Sequence, residues 1–227
     1  MKNMYGNKAK TIFKKLKQDG IVGAEGEIGF DLLGVTVSVS DKSAVGTLLQ
    51  EWLGQWMTAN KIYHRSHQNS QMPPDFFLSK SDEIDLLEVK TFDFIKSPNF
   101  DVANFDAYVR DLKDKSFRLD ADYLILGYTL NNGVIKVNNI WLRKVWEITC
   151  PSKGYTLKTQ VKQGKIYNIR PYNFKSMSKG FQPFKDRLGF VTAIRETLAK
   201  HTNDRLKADE WFKDVEKSYK KFSGASL

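Results

Sequence analysis

The chain has 227 residues, 41% of them apolar and 13% aromatic, with a formal charge of +10. That length and hydrophobicity suit one sizeable core, or at most two small ones, in a globular rather than a disordered chain. No run of about 18 uncharged apolar residues occurs, so no transmembrane helix is expected, and the basic N-terminus lacks the apolar stretch of a secretory signal.

Cys150 is the lone cysteine, which precludes an intramolecular disulfide and fits a reducing, cytoplasmic setting. With only three histidines beside it, a Cys/His zinc site is disfavoured, so any metal should be bound through oxygen. The charge is unevenly placed. Residues 1–20 carry six Lys and one acid, residues 175–227 carry twelve Lys/Arg and seven acids, and residues 21–174 carry eighteen of each. Basic flanks can grip a phosphate backbone by displacing its counterions. Lysine-rich solvated helices would leave the same composition.

In chain order, residues 8–17 read as a short basic helix. Residues 27–40 alternate and break at Gly34, the pattern of a hairpin. From Asp41, a candidate N-cap, residues 42–59 set Ala44, Val45, Leu48, Leu49, Trp52, Leu53, Trp56 and Met57 at helical spacing. Strands are expected at 61–66, 75–79 and 84–92, then a helix capped by Asp101 and running to about Lys113. A buried strand at 122–130 turns at Asn132-Gly133 into the next. A later hairpin turns at Gln163-Gly164, and residues 184–222 read as two amphipathic helices.

Chemistry concentrates in PPDFFLSKSDEIDLLEVKTF, where Asp75 lies on one expected strand and Glu88-Val89-Lys90 on the next. Strand side chains alternate faces, so Glu88 and Lys90 share a face while Leu87 and Val89 point into the core. Asp75 can join them from the neighbouring strand. Two carboxylates can hold a divalent cation, and a lysine beside them can orient a water, which is equipment for hydrolysing a phosphodiester. A solvated face with a cross-strand ion pair is the plainer alternative. Asp85 falls on the Leu87 face and is a weaker ligand candidate, and Asp82 and Glu83 read as turn residues.

This element order, helix, three strands, helix, strand, with those residues on the second and third strands, resembles the common core of the PD-(D/E)xK nucleases. The resemblance implies an α/β fold with a central mixed sheet flanked by helices (αβββαβ), here with extra β-hairpins and C-terminal helices. It reads as a single nuclease domain over 1–227: a catalytic core at about 42–130, a β-rich extension at 131–175 and a helical tail at 184–222. It also implies that Asp75 and Glu88 hold Mg2+ with the Val89 carbonyl, that Lys90 positions the attacking water, and that Glu51 adds a ligand or binds a metal-bound water. For Glu51 an ordinary polar residue beside the apolar stripe is an equal reading. His64, His67 and Tyr63, on or after the first strand, are placed to touch DNA or to be plain surface or half-buried residues, and their spacing does not point to catalysis.

The runs LLEVKTFDFIKSPNFDVANFDAYV, RLDADYLILGYTL, IWLRKVWEIT and KIYNIRP are similar to the NgoBV/NlaIV group of type II restriction endonucleases. That similarity covers roughly residues 40–175 and implies sequence-specific double-strand cleavage of DNA, by a homodimer, at the interrupted palindrome GGNNCC. It further implies a bacterial cytoplasmic enzyme whose functional counterpart is a DNA methyltransferase acting on the same site, with no membrane partner. Reading G·C pairs calls for cationic donors to guanine and acceptors for cytosine. Candidates are Asp93, Lys96, Asn99, Asn104 and Arg110, then Arg170, Asn173, Lys175, Lys179 and Gln182; the alternative for each is a phosphate contact or a solvated loop. Two other functions stay open: a repair or structure-specific nuclease on this core, and a non-catalytic DNA-binding module.

Overall fold

The computed structural model describes residues 8–38, 42–67, 69, 72–175 and 180–227. The chain divides into two compact units, one of residues 1–97 with 122–142 and the other of 98–121 with 143–227. The expected cap Asp41 and the candidate Lys179 lie outside the described residues.

The first unit opens with helix α1 (Lys8–Gln18), followed by strands β1 (Glu25–Glu27), β2 (Gly29–Leu32) and β3 (Val35–Ser38). Helix α2 (Ser43–Ala59) precedes strands β4 (Phe76–Phe77) and β5 (Leu86–Asp93). In the second unit β6 (Ala103–Asn104) runs into helix α3 (Phe105–Leu112). The chain then returns to the first unit through β7 (Asp122–Asn131) and most of β8 (Val134–Lys144). A hairpin of β9 (Thr159–Lys162) and β10 (Lys165–Ile169) and helices α4 (Arg187–Thr202) and α5 (Arg205–Ser223) complete the second. Among these elements no helix is long and apolar enough to cross a membrane.

A five-stranded mixed sheet, ordered β1-β8-β7-β5-β4, organises the first unit. β5 runs parallel to β7 and antiparallel to β4. One face of this sheet is the main core: Phe76, Leu87, Val89, Leu124 and Leu126 pack with Val45, Leu49, Leu53 and Met57 of α2 and Ile12 and Leu16 of α1. Among the described side chains of α2 only the 45/49/53/57 row is buried, while Leu48 and Trp52 are exposed, so the apolar stripe is narrower than the spacing predicts. The mixed α/β architecture is the expected one.

Three local expectations need correction. Residues 61–66 form no strand; they touch the sheet through a single bridge, Arg65 to Phe77. Lys61 is left-handed (φ 56°) and Ile62 N–H closes back on Met57 O, so the chain is still finishing α2 where the strand should begin. The Arg65 side chain then takes over, donating to Ser79 O and Ser81 O, pairing with Asp82 and stacking on Phe77. Second, β4 is only two residues long. Leu78 N–H turns to Asp85 O, and the Ser79 hydroxyl donates within the 79–84 turn. Third, α3 starts at Phe105, capped by Asn104, whose side chain accepts from Ala107 N–H at 3.0 Å. Asp101 instead pairs with Arg170, and Val102 bonds Ile169. The helix belongs to the second unit.

In that second unit β6-β10-β9 form a small sheet. Phe105, Tyr108, Leu119, Val145, Phe190, Ile194, Trp211 and Tyr219 are among its buried side chains. Asp120 ties it together, accepting from Arg187 and from the Tyr219 hydroxyl at 2.9 Å. Asp186 and Asp204 cap the two long helices through Gly189 and Lys207 N–H.

Candidate active site

The antiparallel register of β4 and β5 pairs Phe76 with Leu87 and Phe77 with Leu86. One step further, Asp75 stands opposite Glu88. Residues directly opposite in an antiparallel pair share a face, so the two carboxylates meet on the side away from Leu87 and Val89. The ladder itself is broken there. Pro74, next in line, has no N–H to donate, and the Asp75 carboxylate takes the Val89 N–H at 2.6 Å. That bond locks the carboxylate against the β5 edge. A residue's N–H and C=O point to the same edge of a strand, so the Val89 carbonyl faces the Asp75 side too.

Lys90 completes the group. It lies on the Glu88 face, with its ammonium 3.5 Å from Glu88 Oε2. Glu88 is 7% exposed and Lys90 half-buried. On β7, Tyr123 and Ile125 sit beside Glu88 and Lys90 in the parallel register, and Gly127 sits beside Phe92. Gly127 leaves room for Phe94, Trp141 and Phe92, whose atoms stand 2.8, 3.1 and 3.2 Å from where a Cβ would be. This aromatic cluster walls one end of the face.

Asp75 carries the electrostatic signature of the site. Its pKa is pushed from 3.8 to about 6, first by burial and next by the negative charge of Glu88; Lys90 and the Val89 N–H oppose the rise without cancelling it. One ammonium therefore does not neutralise the half-buried Asp75 and the buried Glu88 together. A divalent cation between them would, and the donor set (two carboxylates and a carbonyl edge) suits a hard, oxygen-bound ion.

Glu51 lies on the exposed side of α2 and lines a cleft of about 590 Å³ with Asp75. Among the described residues no three His, Cys, Asp or Glu side chains come close enough to share a metal, so Glu51 stands apart from the Asp75–Glu88 pair. The same cleft is lined by Thr47, Gln50, Gly54, Gln55, His64, Arg65, Ser66 and His67. Thr47, Gln50, Glu51 and Gln55 form a polar row at helical spacing beside the apolar row of α2, a signal legible in the sequence. Arg65 was not anticipated there. Tyr63 is exposed and does not line this cleft, and His67 bonds Pro73 O and packs edge-on against Phe77. Asp85 turns away, left-handed at φ 57°, and pairs with Lys8 at 3.5 Å.

The base-reading candidates fall in different places. Asp93 is held by Lys42 at 2.6 Å, which keeps its carboxyl below the usual range, so it is bound up in the fold. Lys96 is exposed in the turn after β5, in the first unit; Asn99, Asn104 and Arg110 belong to the second. Asn104 spends its amide on the α3 cap and on Tyr167 O, and Arg170 is engaged with Asp101 and the Asn99 carbonyl. Arg110 is exposed on α3, Gln182 is exposed, and Asn173 and Lys175 are half-buried.

Over residues 6–227 the sequence matches the family described as NgoBV restriction endonuclease. It is 41% identical, over 223 residues, to the type II restriction enzyme NlaIV of Neisseria lactamica, covering 96% of this chain and 92% of that protein. To the type II restriction enzyme NgoBV of Neisseria gonorrhoeae it is 38% identical over 161 residues, 68% of this chain and 90% of the relative. The solved structure of the NlaIV restriction endonuclease superposes with a TM-score of 0.89 at 40% identity, over 96% of this chain and 91% of that one.

Proposed function

The chain belongs to the NgoBV restriction endonuclease family, and from that premise we propose that it cuts both strands of DNA by Mg2+-assisted hydrolysis at Asp75, Glu88 and Lys90. It is a type II restriction endonuclease of the NlaIV/NgoBV group. The observation that carries the site assignment is the register: Asp75 falls one step beyond the β4–β5 pairs, opposite Glu88, with Lys90 on the same face.

Asp75 and Glu88, with the Val89 carbonyl, would hold the cation. When bound, a divalent ion supplies charge to polarise the scissile phosphate and to lower the pKa of a coordinated water. The protein's own groups do the rest. The Val89 N–H fixes Asp75, which keeps the two carboxylates at one spot before DNA arrives. Lys90 positions the attacking water and faces the charge that develops on the phosphate. Glu51, on the cleft wall, acts through a water rather than as a direct ligand. Hydrolysis is direct, with no covalent enzyme intermediate: the water oxygen bonds to phosphorus as the P–O bond to the leaving deoxyribose oxygen breaks, the water's proton passes to solvent, and the leaving oxygen takes one up from solvent.

The target is GGNNCC, a reading that rests on the group resemblance. A two-fold target calls for a two-fold protein, so the working form is a homodimer. Among the base-reading candidates, Lys96, Asn104, Arg110 and Gln182 are exposed, but the Asn104 amide is spent on the α3 cap and Arg170 on Asp101, which suits those two to holding loops. The enzyme works in the bacterial cytoplasm opposite a methyltransferase that protects the same site.

Digesting a plasmid in Mg2+ and sequencing the ends tests this. Discrete fragments ending at GGNNCC are expected. Cutting confined to branched or damaged duplexes would point to a structure-specific nuclease, and binding without cutting to a non-catalytic module.

A further inference from the structure

The β2–β3 hairpin has one apolar face that none of the described residues covers. Phe30 pairs with Val37 and Leu32 with Val35 across it, so all four side chains share a face, and they are 54 to 64% exposed. The other face carries Gly29, Asp31, Thr36 and Ser38, with Thr36 donating to Asp31 at 2.7 Å. Strict alternation of this kind specifies a buried side, and a lone two-stranded ribbon is marginal in water unless something packs on it. At the tip, Leu33 is left-handed and 96% exposed, at a turn position that asks for Asn, Asp or Gly. The base is anchored: Ile28 packs on the main core, and its N–H donates to Gly133 O at 2.7 Å. Gly133 is required there, because a Cβ would lie 2.9 Å from Ile28 O.

We propose that this hairpin is an arm that packs its Phe30/Leu32/Val35/Val37 face on a second copy of the chain. The proposal rests on the two-copy reading of the function and names its surface. Charge selects the occupant. The hairpin carries one acid, Asp31, and no Lys or Arg, in a chain of net charge +10; of the acids just before it, Glu25 is already paired with Lys136, leaving Glu27 at its base. A ribbon with no cation and one acid gains no counterion release from a phosphate backbone, which disfavours insertion into DNA, and its charge is attracted to another copy of a chain that is positive overall. The area also fits. The five exposed apolar side chains offer on the order of 500 Å², more than half of the roughly 800 Å² each partner buries in a standard interface.

Sedimentation of the full chain and of the variant Phe30→Thr/Leu32→Thr/Val35→Thr/Val37→Thr tests the assignment; threonine keeps the strand preference and removes the apolar face. The native chain should sediment as a dimer. The variant should associate at least about 30-fold more weakly while keeping its Ca2+-induced thermal shift, which reports an intact Asp75–Glu88 site. A variant that remains dimeric overturns the arm and leaves the two-copy reading standing. A native chain that is monomeric both free and on a duplex it cleaves overturns both. Should the variant not fold, Leu33→Cys carrying a maleimide photocrosslinker decides the point, because Cys150 is buried and its thiol is held protonated by burial. An adduct of twice the chain mass supports the arm; an adduct to duplex DNA, or none, overturns it.

Discussion

Replacing Asp75 by asparagine should make the cation-free protein more stable at alkaline pH while destroying its activity. Burial and Glu88 raise the Asp75 carboxyl from 3.8 to about 6, so keeping it charged in the fold costs up to about 3 kcal/mol. The sign is the reverse of the usual salt-bridged acid. A carboxyl with a raised folded-state pKa favours the fold fully below its unfolded value near 4 and loses that contribution as pH rises through about 6. Asparagine removes the charge and keeps an oxygen for Val89 N–H, but gives up about 1 kcal/mol by turning a charge-assisted bond into a neutral one. The balance is a gain of about 1–2 kcal/mol, or roughly 2–6 °C in Tm for a chain of this size. Differential scanning calorimetry in EDTA at about pH 8.5 and about pH 4.5 reads it: the gain should appear at the first and shrink toward zero at the second, where Asp75 is already protonated. Adding Mg2+ should invert the order, since an ion at about 100 times its Kd stabilises the native chain by about 2.7 kcal/mol. An Asn variant that is equally destabilised at both pH values would refute the electrostatic account of the site.

Lys90→Ala should lower the cleavage rate about 100- to 1000-fold while Ca2+-supported binding of the duplex survives, as measured by gel shift; near-native cleavage would remove Lys90 from the mechanism. Cation affinity followed by titration calorimetry should fall as pH drops below about 6, by up to about tenfold per pH unit, because a proton on Asp75 competes with the ion. Asn104→Ala should cost about 1 kcal/mol through loss of the α3 cap and leave the sequence preference of cleavage unchanged; altered specificity would restore it as a base reader. Gly127→Ala should cost about 1–3 kcal/mol by overpacking Phe94, Trp141 and Phe92, read as a lowered urea midpoint.

Much of the core was legible because its signals are local and periodic. The β7–β8 turn at Asn132-Gly133 and the β9–β10 turn at Gln163-Gly164 both place left-handed residues where the dipeptides require them. The row Val45, Leu49, Leu53 and Met57 buries as helical spacing demands. Failures came where distant partners override local preference. Residues 61–66 looked like a strand, yet the end of α2 and the reach of the Arg65 side chain absorb them. Asp101 looked like a cap until Arg170, 69 residues away, claimed it. The hairpin at residues 29–38 alternates plainly, but alternation cannot say what covers its apolar face.

Taken alone, the sequence determined that Glu88 and Lys90 share a face, because strand side chains alternate, and that Asp75 was available on a neighbouring element. Only the tertiary structure decided that Asp75 stands opposite Glu88, because that depends on the register of β4 against β5. It also decided that Glu51 faces the cleft from outside the carboxylate pair, and that Asn104 and Arg170 are spent on structure. Alternation and capping are written within a few consecutive residues. Register, burial and a shifted carboxyl arise only when segments far apart in the chain exclude water from one another.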